Sequence, residues 1–282
     1  MSNARLVFLD IDGTLIDERQ QLRSSAVTAV QEARRAGHRV YLCTGRSNSE
    51  IPPLVLDIGF DGVISAGGGF VESDGEIVLA ATMPPEAVTE TEEFLVAHDI
   101  EYNLQALTET YPSPGLWDRV DPLFAARGVL DPDHLARLRQ RLTYRGPAPR
   151  DGIAKATFFG RDHSTFTTVR DGLGDRYHVI TGTMPHLGES GGEISMPGMH
   201  KGSAIVGLAQ LLGVSIDDTI AIGDGSNDLE MLDVVGVGIA MGNANDTVKS
   251  HADEVTRSVS EDGVWHAFAR HGLLGQPATP LS

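Results

Sequence analysis

Acidic side chains gather where short apolar runs of the sequence end. The predicted strand Arg5–Leu9 is followed directly by Asp10 and, one residue later, by Asp12. Side chains alternate along an extended strand, so these two carboxylates can face the same way. Charged groups at a strand exit cost free energy unless they are paired or bound to a metal. The spacing therefore predicts a functional site in which one carboxylate attacks and the other transfers protons.

A second pair of acids follows the predicted strand 219–222. Asp224 and Asp228 lie in the run Gly-Asp-Gly-Ser-Asn-Asp. Ser226 or Asn227 could cap the helix that follows, but a helix cap does not require both acids. This run is therefore also a candidate for chemistry.

Two further sites add polar and cationic groups. The predicted strand Arg39–Leu42 leads into Thr44, Gly45 and Arg46, which supply a hydroxyl and backbone N–H groups. Taken alone, this motif is better explained as an ordinary turn. Lys201 opens a predicted helix, where the helix dipole disfavours a cation. An anionic partner, such as carboxylates or a phosphate, would explain a lysine there.

These groups together predict a metal site. Clustered carboxylates repel one another unless a hard divalent cation is present, and oxygen ligands suit Mg²⁺. A bound cation would attract phosphate. The predicted cluster comprises Asp10, Asp12, Thr44, Lys201, Asp224, Asn227 and Asp228.

The elements that must position these residues follow an α/β pattern. Short apolar runs alternate with amphipathic helical stretches in the first third and again near the end, which predicts a doubly wound, mostly parallel sheet. The middle of the chain lacks this regular alternation and mixes predicted helices with strand-like segments. We expect a discontinuous core domain at 1–82 and 191–282, a second domain at 83–190, and a disordered tail over 275–282. Ligands bind outside the carboxyl ends of the strands in such sheets.

Composition excludes several classes. The chain has 282 residues and a formal net charge of −17, which argues against a nucleic-acid binder. Cys43 is the only cysteine, so an intramolecular disulfide is excluded, and no secretory signal is visible. The longest apolar stretch, 204–214, is too short to cross a bilayer. We expect a cytoplasmic protein with no membrane partner, as a monomer or a homodimer.

Four motifs resemble the haloacid dehalogenase (HAD) superfamily in order and spacing. The motifs are Asp10-Ile11-Asp12-Gly13-Thr14, Thr44-Gly45-Arg46, Lys201-Gly202 and Gly223-Asp224-Gly225-Ser226-Asn227-Asp228. The long insertion before Lys201 is similar to the Cof-type branch (class IIB) with a C2 cap, as is the later stretch Met241-Gly242-Asn243-Ala244. The resemblance implies a Rossmann-like core with an inserted α+β cap domain.

The resemblance also implies an activity: Mg²⁺-dependent hydrolysis of a small phosphorylated metabolite, either a sugar phosphate or a phosphorylated cofactor, through an aspartyl-phosphate. Asp10 would be the nucleophile and Asp12 the general acid and base. Mg²⁺ would be held by Asp10, the backbone carbonyl of Asp12 and Asp224, with Asp228 in support. The residues implied to bind the phosphoryl group are Thr44, Gly45, Arg46, Lys201 and Asn227.

One position departs from the family pattern. Gly67-Gly68 stands where the family often has Asn-Gly, so the contact that the asparagine would make is in question. In the predicted cap, Trp117, Tyr111, Tyr102, Arg119 and Arg127 could line the inner face, although packing in the cap's own core is the favoured interpretation of the aromatic residues.

Other interpretations remain open. A phosphomutase or phosphotransferase of the same superfamily would use the same two aspartates, and a non-catalytic phosphate-binding regulatory protein is a third possibility. Gly188–Gly192 matches the G-x-S-x-G motif of serine hydrolases, but a strand rather than a helix is predicted after it, which indicates a chance match. Cys43 lies on a predicted buried strand and is expected to serve packing.

Overall fold

The computed structural model describes residues 4–127, 132–181 and 188–275. Within them, eight strands form one sheet. The strands, in spatial order, are β13 (Glu254–Val255), β12 (Val237–Ala240), β11 (Thr219–Gly223), β1 (Leu6–Leu9), β2 (Arg39–Cys43), β3 (Gly62–Ser65), β4 (Phe70–Ser73) and β5 (Glu76–Ala80). The pairs from β13 to β3 are parallel, and β3, β4 and β5 are joined antiparallel. The predicted mostly parallel sheet is confirmed.

Helices cover both faces of this sheet. Alternation along β1 sends Val7 and Leu9 to one apolar cluster and Leu6 and Phe8 to the other. The first cluster contains side chains of α1 (Ser24–Arg35), α2 (Pro53–Leu56) and α10 (Gly263–Arg270). The second contains side chains of α7 (Lys201–Leu212), α8 (Leu229–Val234) and α9 (Asp246–His251). This burial anchors β1 and fixes the position of the residues that follow it.

A second, antiparallel sheet lies between β5 and α7 in the chain. Its spatial order is β7 (Thr110–Pro112), β6 (Glu101–Ala106), β8 (Ile153–Phe159), β10 (Gly191–Ser195) and β9 (His178–Thr181). The helices of this region are α3 (Pro85–Ala97), α4 (Leu116–Arg127), α5 (Pro132–Arg141) and α6 (Ser164–Leu173). Side chains of α3 and α6 pack with those of β6, β8 and β10 in a separate apolar cluster.

The chain passes between the two sheets twice. Ala81 N donates to Gly69 O of the first sheet's region, whereas Met83 N donates to Ile153 O at the start of β8. On the return, β10 pairs with both β8 and β9. The expected boundary at residue 191 differs from this pairing, because β10 belongs to the second sheet. We propose that the return to the core lies between β10 and α7.

The second domain contains both helices and strands, as the mixed pattern of the middle region indicated. Its strands β6 and β7 are joined antiparallel, unlike the parallel pairs at the centre of the first sheet. Residues 276–282 of the predicted tail lie outside the described residues. Among the described residues, no helix is long and apolar enough to span a membrane.

Candidate active site

Three neighbouring strands bring the predicted residues to one edge of the first sheet. Strands β11, β1 and β2 are adjacent and parallel, so their carboxyl ends meet. Asp224, Asp10 and Thr44 each follow the end of one of these strands. The topology therefore assembles groups that lie far apart in the sequence.

Lys201 joins two of the acids. Its Nζ lies 2.6 Å from Asp10 Oδ1 and 2.6 Å from Asp228 Oδ1, and the side chain is only 1% exposed. Burial alone would lower the pKa of Lys201, but Asp10 and Asp228 raise it, so the ammonium stays charged. His200 caps the helix, because its Nδ1 accepts from Ser203 N. The two ion pairs explain why a cation begins this helix.

Asp228 is engaged on both oxygens. Oδ1 accepts from Lys201, and Oδ2 accepts from the backbone N–H groups of Asp224 and Gly225, each at 2.9 Å. The side chain is fully buried. These contacts place Asp228 in support of Lys201 and of the loop that carries Asp224, which is a positioning role.

The carboxyl groups of Asp10 and Asp224 are both driven towards the neutral form. Burial raises the pKa of Asp10 to about 7. Lys201 acts against this shift, whereas the negative charges of Asp228 and Asp12 add to it. Burial, together with Asp10 and Asp228, raises the pKa of Asp224 to about 8. One oxygen from each of Asp10, Asp224 and Asp228 lies within 4.8 Å of the others. A buried, mutually repelling set of hard oxygen ligands fits a divalent cation such as Mg²⁺.

Two residues that were not among the predicted site residues orient Asp224. Thr14 Oγ1 donates to Asp224 Oδ1 at 3.3 Å, and Asn243 Nδ2 lies 3.3 Å from Asp224 Oδ2. Asn243 Nδ2 also donates to Gly13 O at 2.9 Å. Gly13 has a φ of +79°, and a Cβ there would lie 2.0 Å from Asp224 Oδ2, so only glycine fits. Both residues stand in motifs singled out above, but their contacts depend on how the loops fold.

Asp12 and Arg46 form a two-point ion pair. Arg46 Nε lies 2.7 Å from Asp12 Oδ2, and Nη2 lies 2.6 Å from Oδ1. Arg46 also donates to Glu50 O at 2.9 Å and to Gln20 Oε1 at 3.2 Å. Burial acts to raise the pKa of Asp12, but Arg46 overcomes it and the net shift is downward. Arg46 thus contacts the predicted general acid, and its contact with a phosphoryl group stays a prediction.

The remaining predicted phosphoryl ligands lie side by side. Thr44 is 1% exposed, and its Oγ1 accepts from Arg46 N at 3.1 Å. A Cβ added to Gly45 would lie 3.3 Å from Asn227 Nδ2. The backbone at Gly45 and the Asn227 amide are therefore neighbours, and Thr44 directly precedes Gly45.

A cleft lies between this edge and the second sheet. It is lined on one side by Gly67, Lys201 and Asn227 and on the other by Lys155 and Glu193, among others. Lys155 Nζ lies 2.7 Å from Glu193 Oε2 in a nearly buried ion pair. Sequence reasoning missed this pair, although a lysine within the mostly apolar strand Ile153–Phe159 is a signal that could have found it.

The aromatic residues of the second domain pack within that domain. Tyr102 and Tyr111 belong to its main apolar cluster, and Trp117 packs against a smaller one. Arg119 donates to the backbone oxygens of Asp99 and Phe159. The side chain of Arg127 lies outside the described residues. The favoured interpretation of the aromatic residues as core is supported.

Neither the G-x-S-x-G match nor Cys43 has the surroundings of a catalytic nucleophile. Gly188–Ser190 is a single 3-10 turn that leads into β10, so no helix follows the serine. Cys43 is buried, and burial raises the pKa of its thiol, which disfavours the reactive thiolate.

Comparisons with known proteins agree with this geometry. The putative phosphatase YkrA of Bacillus subtilis (strain 168) is 29% identical over 281 residues, covering 96% of this chain and 99% of the relative. The HMP-PP phosphatase of Cronobacter sakazakii is 30% identical over 247 residues, covering 86% and 85%. A solved hypothetical protein from Geobacillus kaustophilus HTA426 gives a TM-score of 0.79 at 27% identity, covering 96% of this chain and 100% of that one.

A family model also matches most of the chain. Residues 7–268 match the model of the haloacid dehalogenase-like hydrolases, which spans both sheets and all four motifs. This confirms the resemblance inferred from the motifs, and the sheet between β5 and α7 is the expected inserted cap. The chain therefore belongs to the haloacid dehalogenase-like hydrolase family.

Proposed function

We propose that the protein is a Mg²⁺-dependent phosphatase that hydrolyses a small phosphorylated metabolite through an aspartyl-phosphate. The observation that carries the proposal is Asp10 at a buried strand end, 2.6 Å from Lys201 Nζ and beside Asp224. Two relatives named above as a putative phosphatase and an HMP-PP phosphatase support the reaction class.

Asp10 would attack the phosphorus atom of the ester. The bond between phosphorus and the leaving oxygen breaks, and Asp12 donates its proton to that oxygen. In the second step Asp12 takes a proton from water, the water oxygen attacks the aspartyl-phosphate, and inorganic phosphate leaves. Asp10 is regenerated, so the net reaction consumes one water molecule.

The Arg46 contact defines which protonation state of Asp12 is favoured. The ion pair favours the carboxylate, which is the form needed to accept a proton in the second step. Donation in the first step requires the neutral acid, so the dianionic substrate must weaken this pair as it binds. Arg46 would thus act through Asp12 as a positioning residue.

The metal would be held by Asp10, Asp224 and the backbone carbonyl of Asp12. When bound, Mg²⁺ supplies positive charge that offsets the clustered carboxylates and the phosphoryl oxygens. Asp228 would position Lys201 and the loop that carries Asp224 through its hydrogen bonds to Lys201 Nζ and Asp224 N.

The phosphoryl oxygens would be bound by four donor groups of the site. These are the Thr44 hydroxyl, the backbone N–H at Gly45, the Asn227 amide and the Lys201 ammonium. Fixed donors aimed at developing negative charge stabilise the transition state.

Phosphate release from a panel of phosphorylated metabolites, with and without Mg²⁺, tests the proposal. Wild type and Asp10→Asn are compared in parallel. Metal-dependent release by wild type alone supports a phosphatase. Transfer of the phosphoryl group to a sugar hydroxyl instead of water would indicate a phosphotransferase, and binding of phosphate without turnover would indicate a regulatory protein.

A further inference from the structure

A second cleft lies at the edge of the first sheet, between the end of β13 and α10. Its volume is about 400 Å³, a size that sites for small molecules commonly have. The residues that line it are Val255, Thr256, Arg257, His266, Ala269 and Arg270. We call it the β13–α10 cleft. None of these six residues belongs to the candidate active site.

The lining of the β13–α10 cleft is cationic. Three of its six residues carry a guanidinium or an imidazole group, in a chain whose formal net charge is −17. His266, Ala269 and Arg270 are three and four positions apart, so they lie on one face of α10. The short side chain of Ala269 leaves space between the two longer ones. Arg257 lines the cleft from the segment that follows β13.

The fold leaves hydrogen-bond donors of these cations unused. Within the part of the chain that the structure describes, the side chains of Arg257 and His266 make no hydrogen bond or ion pair. Arg257 acts on Glu261 only as a charge at longer range. Arg270 Nη1 lies 3.0 Å from Glu254 Oε2, but a guanidinium has five N–H donors, so others remain. The cleft can therefore donate to a ligand from both of its sides.

These donors define the chemistry of a ligand. Guanidinium groups bind phosphate and carboxylate oxygens through paired, charge-assisted hydrogen bonds, and an imidazole adds another donor. The volume suits an organic molecule rather than a single inorganic ion. A compact organic anion fits best if it carries at least two phosphate or carboxylate groups, one for Arg257 and one for Arg270.

The segment that lines the β13–α10 cleft also holds Asn243. Gly242 N donates to Arg257 O at 3.0 Å, and Val259 N donates to Asn243 Oδ1 at 2.9 Å. A Cβ on Gly242 would lie 2.8 Å from the carbonyl carbon of Arg257, so the two backbones are in close contact. Asn243 Nδ2 in turn lies 3.3 Å from Asp224 Oδ2. A continuous set of contacts therefore joins this cleft to a proposed metal ligand.

We propose that the β13–α10 cleft is a regulatory site for a compact organic polyanion, bound by Arg257, His266 and Arg270. An anion that bridges the two sides of the cleft fixes the segment 256–259, and this segment fixes the Asn243 amide beside Asp224. The anion then raises the affinity for Mg²⁺, and Mg²⁺ raises the affinity for the anion by the same factor. This coupling rests on the proposed metal site, whereas the anion site does not.

Titration calorimetry of the metal-free protein tests the anion site. The probes are methylenediphosphonate and tricarballylate, which carry phosphonate and carboxylate groups and contain no ester bond to hydrolyse. We expect at least one probe to bind at a single site, and the tighter one shows which anionic group the cleft prefers. Arg257→Gln should weaken this binding about tenfold or more, because a charge-assisted contact is lost. Binding of neither probe overturns the proposal.

Two further variants check the assignment of the residues. His266→Gln, on the opposite side of the cleft, should also weaken binding. Arg145→Gln is the matched control, because Arg145 is an exposed arginine of the cap that donates to Gln140 O. It removes the same charge and should leave the Kd of the probe unchanged. Equal weakening by Arg145→Gln and Arg257→Gln, with the Tm retained, would overturn the site, since net charge alone would then explain the effect.

The affinity for Mg²⁺ with and without the tighter probe tests the coupling. Free Mg²⁺ is measured with an indicator, because the probe itself binds some of the metal. We expect the probe to lower the Kd for Mg²⁺ about fivefold. Asn243→Ala should abolish this effect and still bind the probe without the metal. An unchanged Kd, or a full effect in Asn243→Ala or Arg257→Gln, would overturn the coupling.

The anion site and the proposed phosphatase fail separately. Binding of a probe that depends on Arg257, in a protein that releases no phosphate from any ester, would overturn the phosphatase alone. Phosphate release by a protein that binds neither probe would overturn the anion site alone. Absence of Mg²⁺ binding would overturn the metal site and the coupling together, and it would leave the anion site standing.

Discussion

Arg46 holds Asp12 at two points, with its Nε 2.7 Å from Asp12 Oδ2 and its Nη2 2.6 Å from Oδ1. The same guanidinium donates to Glu50 O, and Glu50 Oε2 accepts from Gln105 Nε2 of the cap at 2.9 Å. The side chain that we propose as proton donor is therefore connected through two residues to the cap. Cap position and the orientation of Asp12 are expected to change together.

Arg46→Lys tests the two-point contact. Lysine keeps the charge but loses the planar fork, so Asp12 is held less firmly and its pKa, now lowered by Arg46, rises. We expect kcat to fall about tenfold or more with a smaller change in KM, and the acidic limb of the kcat profile to move to higher pH. The measurement is kcat and KM from pH 5 to 9.

Arg34→Lys is the control for this change. Arg34 makes a similar two-point contact with Asp61, with both distances 3.0 Å, away from the cleft. Its pH profile should match wild type. An unshifted profile for Arg46→Lys would show that the pair does not set the protonation of Asp12.

Binding of Mg²⁺ is expected to release protons. The pKa of Asp10 is raised to about 7 and that of Asp224 to about 8, so at pH 6.5 both are largely protonated and must ionise to hold the cation. Apparent affinity should rise from pH 5.5 to 8. Titration calorimetry in two buffers of different ionisation enthalpy measures the released protons, and identical heats in both buffers would contradict the expectation.

The same shifts predict how the metal-free protein responds to pH. Folding raises the pKa of Asp10 from its ordinary 3.8 to about 7, so between these values the native state binds the proton and the unfolded chain does not. Stability therefore falls as pH rises across this interval, and Mg²⁺ should restore it. The check is the increase in Tm on adding Mg²⁺, which should be larger at pH 8 than at pH 5.

Removing the Lys201 cation should cost both stability and activity. Lys201→Met leaves Asp10 and Asp228 buried without their counterion, which is expected to destabilise the fold by about 3–5 kcal/mol. Turnover should be lost, because Asp10 becomes harder to ionise. Denaturant unfolding measures the first effect and phosphate release the second.

A double variant separates charge from packing at this site. Lys201→Met/Asp228→Asn removes one of the two repelling acids and should recover part of the lost stability without recovering turnover. Lys249→Met, in α9, is the control lysine and should behave like wild type. No recovery in the double variant would indicate that lost packing, rather than unpaired charge, accounts for the destabilisation.

Gly67→Asn tests the position where the chain departs from the family pattern. Gly67 has φ 67° and ψ 24°, a left-handed conformation that asparagine tolerates better than most residues. The added side chain would lie next to Lys155, whose Nζ is 3.7 Å from the Cβ position, and would take up space in the cleft that the substrate needs. We expect KM for the preferred ester to rise several-fold with the fold retained, whereas Gly67→Ala should affect KM less. A lower KM for Gly67→Asn would contradict this account.

The sequence predicts the residues at the carboxyl ends of β1 and β11 better than it predicts those of the cap. Asp10, Asp12 and Asp224 could be placed together because strand alternation and the topology of a parallel sheet determine where strand ends meet. Lys155 and Glu193 could not, because their contact depends on the pairing of β8 with β10, which are separated in the chain by α6 and β9. A one-residue change in that register would turn either residue to the other face.

Loop conformation explains the other differences. The partner of Arg46 depends on the turn between Thr44 and Glu50, whose geometry no periodicity in the sequence encodes. The α/β pattern that resumes near residue 191 favours a return to the core there, but the sequence of a single strand such as β10 does not indicate which sheet it joins.

Trapping of a phosphorylated enzyme tests the central claim most directly. Wild type mixed with the best ester of the panel and Mg²⁺, then quenched in acid, should gain the mass of one phosphoryl group on the peptide that contains Asp10, and Asp10→Asn should not. Mass spectrometry detects the phosphorylated peptide directly, so the result does not depend on the turnover rate. Phosphate release by wild type with no label on that peptide, or near-normal release by Asp10→Asn, would contradict the covalent mechanism.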